Sequence, residues 1–500
     1  MDPFSTLPPE VRLMILVQLK TRTNTAPLLS ASPAMLAQYG ASRKHIRRAF
    51  LKAEFAGTLL QDALGIVLFP NKHDTDINWS VIDCHIELWV SGQFPDPFQQ
   101  NHQRILERLD GLYDRLSTYI EDYITKATSV FPSRVYLGLP NPLSVRGELV
   151  FRNKPLDPRV IKLDYLSHFE RKRLLGAFLK YEFMCKVYCH IRRDQMNDDI
   201  YKHLVQVVDS KIQGLEREAF RCVHGYVMDL YGAVFAHCAE FWLPDIPQTQ
   251  LTLYGATKTL SRAGLVFPDN VFFDPWVYYE DLDLPTKSGL VPQYLSLLGL
   301  DLITNLLLFP RDHRGRYRHL EQWLCDIPRR NLQSPASNLV FGSLLIEEPI
   351  LQGPDSKEWE QYPGVLQQLC HQEPTLYDAT DVDDSDGGML PMLRTPRRLL
   401  VRVYRQRAWV FFDDSRYYSD QGIMPHFPSK EMLSRHCRCL RTRYRAAGGV
   451  ASLRRSQKWQ DEYRDNFYPV EESTPEEKRP EFQHDDACSR PFHGPLKPYE

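Results

Sequence analysis

Apolar residues recur with the period of an α-helix over long stretches of the chain. Between residues 104 and 127, apolar side chains follow one another at intervals of three or four: Ile105, Leu109, Leu112, Leu116, Ile120 and Tyr123. This spacing places them along one side of a helix. We therefore predict a long helix that buries that side in a core.

The same pattern predicts two more long helices. One follows Ser167 and Glu170, whose spacing is that of a capping box, in which each side chain bonds the other residue's backbone amide. Its predicted buried face consists of Leu174, Phe178, Leu179, Phe183 and Val187. The other covers about residues 215–241, with Phe220, Val223, Val227, Leu230 and Val234 facing inward. The predicted fold class is mainly α.

Weaker patterns complete this picture. We expect shorter helices near residues 292–309, 317–325 and 359–372, and a few short strands in VYLGLP (135–140) and ELVF (148–151). For the first half of residues 399–420, the apolar periodicity is compatible with either a helix or a strand. A basic helix is predicted over about residues 429–447, before Gly448 and Gly449.

The first fifty residues predict a compact group of short helices. Prolines 8 and 9 suit a helix's first turn, and Val11, Ile15 and Leu19 then recur every four residues, with Leu16 beside them. Pro27 and Pro33 each predict the start of another short helix, giving three or four helices in about 45 residues. A unit of this size barely folds alone, so we expect it to dock on the rest of the chain or on a partner.

This segment resembles an F-box, in the form found in many fungal F-box-like proteins. The matching positions are Leu7, Pro8, Glu10, Val11, Ile15, Leu16, Leu19, Leu28, Leu29, Ser32, Pro33 and Ile46. The stretch KTRTNTAP stands where that family carries an acidic, leucine-containing turn. The regions around residues 166–191 and AWVFFDD (408–414) also resemble parts of the same family.

The resemblance implies an adaptor for a cullin-type ubiquitin ligase. Residues 7–50 would bind the ligase's linker subunit, and the rest of the chain would recruit a protein substrate whose identity the sequence does not reveal. The implied partner-binding residues are Leu7, Pro8, Val11, Ile15, Leu16, Leu19, Leu28, Leu29 and Ile46. The alternative is a non-enzymatic helical interaction or scaffold protein, in which this segment belongs to the chain's own core.

Composition shifts suggest the domain boundaries. We predict the F-box-like motif over residues 1–52, a large irregular helical domain over 53–372, and an acidic, disordered linker over 373–398. Residues 399–449 would complete the helical domain, and residues 450–500 would form a mostly disordered tail.

Charge and cysteine usage limit the function classes. The net charge is -2 over 500 residues, so no overall field favours nucleic acid or an anionic membrane. Asp2 stands where a leader peptide would carry a basic residue, and no stretch is long enough to span a bilayer. The ten cysteines are sparse and scattered, so we expect reduced thiols in the cytoplasm or nucleus.

No pattern predicts an enzyme or a bound cofactor. The glycine, serine and histidine motifs of common hydrolases, kinases and dinucleotide-binding enzymes are absent from the sequence. Cys185 and Cys189 share a predicted helix face, but no second close pair follows at zinc-site spacing, so buried thiols are the preferred interpretation. The HCxC cluster at 436–439 and the D-x-D pair at 281–283 are equally unspecific.

Overall fold

The computed structural model describes residues 2–19, 22–70, 79–100, 102–129, 132–142, 149–151, 154–156, 160–189, 207, 212, 214–238, 272–275, 295–308, 396–418 and 427. This part of the chain is mainly α, as predicted. The helices are α1 (Pro9–Gln18), α2 (Arg22–Ala31), α3 (Pro33–Glu54), α4 (Thr58–Val67), α5 (Trp79–Ser91), α6 (Pro97–Gln100), α7 (Gln103–Thr128), α8 (Pro132–Val135), α9 (His168–Cys189), α10 (Gly214–Cys238), α11 (Gly299–Leu308), α12 (Pro396–Gln406) and α13 (Asp414–Tyr418). A 3-10 turn, Leu163–Tyr165, precedes α9.

A small antiparallel sheet lies beside the helices. Its strands are β1 (Leu139–Pro140), β2 (Leu149–Phe151) and β3 (Lys154–Leu156), in the order β1-β2-β3. Leu139 pairs with Val150, and Leu149 pairs with Leu156. The first two strands lie within the stretches predicted as strands, whereas β3 was not predicted. β1 packs on α7 and α10.

The main core is built around α9, which packs on α4, α7, α10 and α11. Every residue predicted for the inner faces of α9 and α10 is buried in this core. On α7, Ile105 is half-buried and the other five predicted residues are buried. Each fully buried Leu or Phe side chain contributes roughly 1.5–3 kcal/mol relative to its exposed state. The three long helices were therefore predicted correctly, with ends within a few residues of those observed.

The predicted capping box fixes the start of α9. The Glu170 amide donates to Ser167 Oγ at 3.1 Å, and the Ser167 amide donates to Glu170 Oε2 at 2.9 Å. These two bonds satisfy amides that have no partner within the helix. The sequence rule and the observed geometry agree.

Residues 396–418 complete the main core, although they are distant in sequence from its other elements. Its first half is helical, which resolves the helix-or-strand alternative, and α12 packs on α10. Arg405 Nε donates to Glu218 Oε1 at 2.8 Å, and the Tyr136 hydroxyl donates to the Gln406 carbonyl at 2.6 Å. Leu399, Trp409 and Phe411 are buried. This segment therefore belongs to the same core as α7, α9 and α10.

Several sequence predictions fall outside the described residues. These are the helices over 317–325 and 359–372, the basic helix, the tail over 450–500, the cluster at 436–439 and the pair at 281–283. Most of the predicted acidic linker lies outside as well, but its final residues do not form a linker, because α12 begins at Pro396. Among the described helices, none combines the length and the apolar character that a bilayer span requires.

Candidate functional site

The N-terminal unit consists of α1, α2 and α3, and Ser32 fixes the junction between its last two helices. Ser32 Oγ accepts a hydrogen bond from the Met35 amide at 3.1 Å, which caps α3 one residue before Pro33. Ser32 Oγ also donates to Asp2 Oδ2 at 2.7 Å, and the Ala34 amide donates to the same oxygen at 3.0 Å. These bonds, the one from Ser32 first, lower the pKa of Asp2. The start of the chain is thereby tied to the start of α3.

This unit has a small core of its own. Leu16, Met35 and Ile46 are buried against one another. Half-buried apolar side chains surround them: Phe4, Leu13, Ile15, Val17, Leu28, Leu29 and Tyr39. Among the described residues, this cluster contains nothing beyond Ile46, and the main core begins at Leu51. The two cores are separate.

The second half of α3 attaches the unit to the body. Arg47 donates to Asp110 and, at 2.7 Å, to Asp114 Oδ1, both on α7. Leu51 on α3 and Phe55, directly after it, are buried in the main core. The predicted boundary at residue 52 therefore falls inside α3, and the attachment is a continuous helix rather than a linker.

Two details of the predicted helix pattern were wrong. Pro27 does not start a helix: α2 begins at Arg22 and contains Pro27. A proline inside a helix removes one backbone bond, and here the packing of Leu28 and Leu29 on the small core holds the following turn in place. The third helix is also not short, because α3 continues unbroken for 22 residues through Gly40.

The outer side of α1 exposes two apolar side chains, Val11 and Met14, beside the polar residues Glu10 and Gln18. Leu13, Met14, Ile15, Leu16 and Val17 form a continuous apolar run, yet only Leu16 is buried. Met14 is 64% exposed and Val11, one turn earlier, is 38% exposed. α1 is enclosed on one side only, so Val11 and Met14 offer an apolar contact surface.

The predicted partner-binding residues divide into three groups. Val11 and Pro8 are exposed, and Leu16 and Ile46 are buried inside the unit. The half-buried ones are Leu7, Ile15, Leu19, Leu28 and Leu29. Leu16 and Ile46 therefore support the unit from within, and a partner at the surface would not touch them.

The sequence interpretation missed two exposed apolar residues, Met14 and Leu36, the latter 54% exposed. Met14 follows Val11 by three residues, so helical spacing would have placed both on one side of α1. Leu36 follows Pro33 by three residues on α3. Neither residue belonged to the four-residue apolar repeat that predicted α1, or to the positions that resemble the F-box family.

The described residues contain no group of three histidine, cysteine or acidic side chains placed to hold a metal ion. Cys185 and Cys222 are buried, and burial raises the pKa of the Cys222 thiol well above its ordinary value. Such thiols behave as small apolar groups rather than as nucleophiles. The exposed side of α1, with Val11 and Met14, is the candidate contact surface of the N-terminal unit.

Comparisons with protein-family models, curated proteins and solved structures found no match to this chain.

Proposed function

We propose that this chain is an F-box-like adaptor of a cullin-type ubiquitin ligase. Its N-terminal unit, within residues 7–50, binds the linker subunit of the ligase, and the helical body recruits a protein substrate. The observation that carries the proposal is the exposure of Val11 and Met14 on α1, in a unit whose small core is already complete. The ligase places the proposed site of action in the cytoplasm or nucleus.

Packing within the unit supports this proposal over the alternative. If the N-terminal segment served only the chain's own core, its apolar side chains would be buried against residues of the body. Instead, the small core that contains Leu16 ends at Ile46 and is distinct from the main core. In the part of the chain that the structure describes, the second half of α3 joins the body, through Arg47 and Leu51. The alternative therefore accounts for that half of α3 but leaves α1 unexplained.

Coprecipitation of the purified linker subunit with the full chain tests the proposal. We expect the parent chain to retain the linker subunit and the double variant Val11→Asp, Met14→Asp to lose it. Two carboxylates on this apolar surface would lose their hydration in the complex without gaining partners, which costs several kcal/mol. Both positions are solvent-exposed in the free chain, so the variant should still fold.

Val81→Asp is the matched control, because Val81 is a valine of similar exposure, 49%, that lies on α5 and not on a helix of the N-terminal unit. It should retain the linker subunit as the parent does. Failure of the parent chain to bind would refute the adaptor function. Equal binding by the parent and the double variant would refute the placement of the site on α1.

A further inference from the structure

One side of α3 changes its surroundings along the helix. Leu36, Gly40, Lys44, Arg47 and Leu51 follow one another at intervals of three or four residues, so they share one side. In the second half this side meets the body, since Arg47 bonds α7 and Leu51 enters the main core. In the first half the same side is exposed at each of its three positions. The packing surface that receives α7 thus continues beyond α7 into solvent.

The exposed half carries an apolar end and a basic end. Leu36 lies at the first end, and Arg43 and Lys44 lie at the other, about 12 Å further along the helix at 1.5 Å per residue. Both basic side chains are exposed, and no salt bridge joins either to another described residue. A Cβ placed at Gly40 would meet no described atom within 4 Å, so the surface between the two ends is open among these residues.

The contact with α7 shows which kinds of side chain this side of α3 binds. α7 presents two carboxylates four residues apart, Asp110 and Asp114, to the single guanidinium of Arg47. Apolar side chains complete that contact: Phe50 packs edge-on against Tyr113, with the ring centroids 5.0 Å apart. A helix with an acidic pair beside an apolar residue therefore fits one half of this surface already. The exposed half offers the same elements, two cations and one leucine.

We infer that the first half of α3 is a second docking surface, which takes an acidic amphipathic helix of a partner protein. Two carboxylates of that helix face Arg43 and Lys44, and its apolar residues cover Leu36. About two turns of helix span the surface. Acidic protein is the fitting partner class rather than nucleic acid, because one end of the surface is apolar and the chain as a whole has a net charge of -2. This surface uses residues other than Val11 and Met14 and stands independently of the adaptor function.

A designed peptide tests the inference without any knowledge of the natural partner. The probe is a fluorescein-labelled helical peptide of alanine, leucine and glutamate, with two glutamates four residues apart and a leucine two turns away on the same side. Fluorescence anisotropy with the full chain should show saturable binding. Arg43→Glu with Lys44→Glu, and separately Leu36→Asp, should each weaken binding at least tenfold. Lys172→Glu, at an exposed lysine of α9, should change binding less than twofold.

Further variants and probes test whether the peptide binds at this surface and through its acidic residues. A peptide with lysine in place of both glutamates should not bind, and Val11→Asp with Met14→Asp should leave peptide binding unchanged. The inference is overturned if the parent chain does not bind the acidic peptide, or if it binds the lysine peptide equally well. It is also overturned if the Arg43 and Lys44 variant binds like the parent, or if a single-stranded RNA oligonucleotide displaces the peptide from the parent.

Discussion

The ammonium group of Lys126 lies 2.8 Å from Oδ2 of Asp122, one turn away on α7, and the two side chains are 0% and 2% exposed. The Tyr226 hydroxyl donates to the same carboxylate oxygen at 2.6 Å. Burial raises the pKa of Asp122 and lowers the pKa of Lys126, and the attraction between them opposes both shifts. A buried ion pair that accepts a hydrogen bond from Tyr226 therefore lies inside the apolar core, between α7 and α10.

Removal of one member of this pair should destabilise the fold strongly. We expect Lys126→Met to lower the free energy of unfolding by about 3–5 kcal/mol, because Asp122 then remains buried without its cation. Replacement of both members, by Lys126→Met with Asp122→Leu, should recover part of that loss, since apolar side chains can replace a buried pair at little cost but the Tyr226 hydroxyl loses its acceptor. Urea unfolding followed by circular dichroism measures both. A double variant no more stable than the single one would show that the loss does not arise from an unpaired Asp122.

Replacement of two glycines of α10 by alanine should change the stability of the fold in opposite directions. A Cβ at Gly232 would lie 2.5 Å from Pro275 Cβ, so Gly232→Ala should force the 272–275 segment away from the helix and cost about 1–3 kcal/mol. A Cβ at Gly225 would meet nothing within 4 Å among the described atoms, so Gly225→Ala should stabilise the helix by about 0.5–1 kcal/mol. Thermal unfolding of the two variants compares them directly. Equal shifts of Tm would show that the close approach at Pro275 is absent.

Asp229 should make the stability depend on pH. Burial raises the pKa of Asp229 to about 8, from an ordinary value of 3.8. Because the folded state binds the proton of Asp229 more tightly than the unfolded state does, protonation of Asp229 adds to the free energy of unfolding. This stabilisation is complete below pH 3.8 and is lost as the pH rises through 8. His224, whose pKa burial lowers to about 3 from 6.5, contributes a slope of the opposite sign, which lies mostly below pH 6.5 and fades above it as the unfolded-state imidazole becomes neutral.

The pH effect is measured against Asp229→Asn, which keeps an acceptor for Gln406 Nε2, 3.0 Å away, but does not titrate. Between pH 6.5 and 8 the parent should lose about 1.5 kcal/mol of unfolding free energy relative to this variant. Guanidinium titrations at several pH values provide the comparison. Parallel pH profiles for the two proteins would show that Asp229 is ionised in the folded state throughout.

Glu170 should contribute more to the free energy of unfolding than Ser167, its partner in the capping box. Burial acts to raise the pKa of Glu170, but hydrogen bonds from Arg416 and from the amides of Asp413 and Ser167 lower it overall. We expect Glu170→Ala to cost about 3 kcal/mol, since charged hydrogen bonds to Arg416 are lost with the cap. Ser167→Ala removes the cap and the 2.6 Å hydrogen bond that Ser167 Oγ donates to Asp413 Oδ2, and it should cost about 1–2 kcal/mol. Denaturant unfolding measures both, and equal losses would exclude a role for the Arg416 contact.

The spacing of apolar and capping residues in the sequence predicted individual helices and their ends. It did not predict which distant segments of the chain pack together. The faces of α7, α9 and α10 were predictable because helical spacing sets them, and the Ser167–Glu170 cap because it needs only four consecutive residues. The contact of Arg405 with Glu218 joins residues 187 positions apart, and no local rule selects that pair. The sequence therefore assigned residues 399–449 to the helical domain, but it could not give the position of α12 in the core, even though apolar residues alternate with arginines along α12.

The candidate site shows the same limit more sharply. Leu16 and Met14 are both apolar members of one run, yet Leu16 is 1% exposed and Met14 is 64% exposed. Which of them faces inward depends on how α3 lies against α1, through Met35 and Ile46. A repeat of four residues identified the helix but could not indicate which side a partner would meet.

Titration calorimetry of the full chain with the purified linker subunit of a cullin-type ligase tests the proposed adaptor function without an intermediate step. We predict saturable one-to-one binding by the parent chain and by Val81→Asp, and at least a hundredfold weaker binding by Val11→Asp with Met14→Asp, equivalent to about 2.8 kcal/mol. Absence of binding by the parent chain, or equal affinity for all three proteins, would contradict an adaptor that binds through α1.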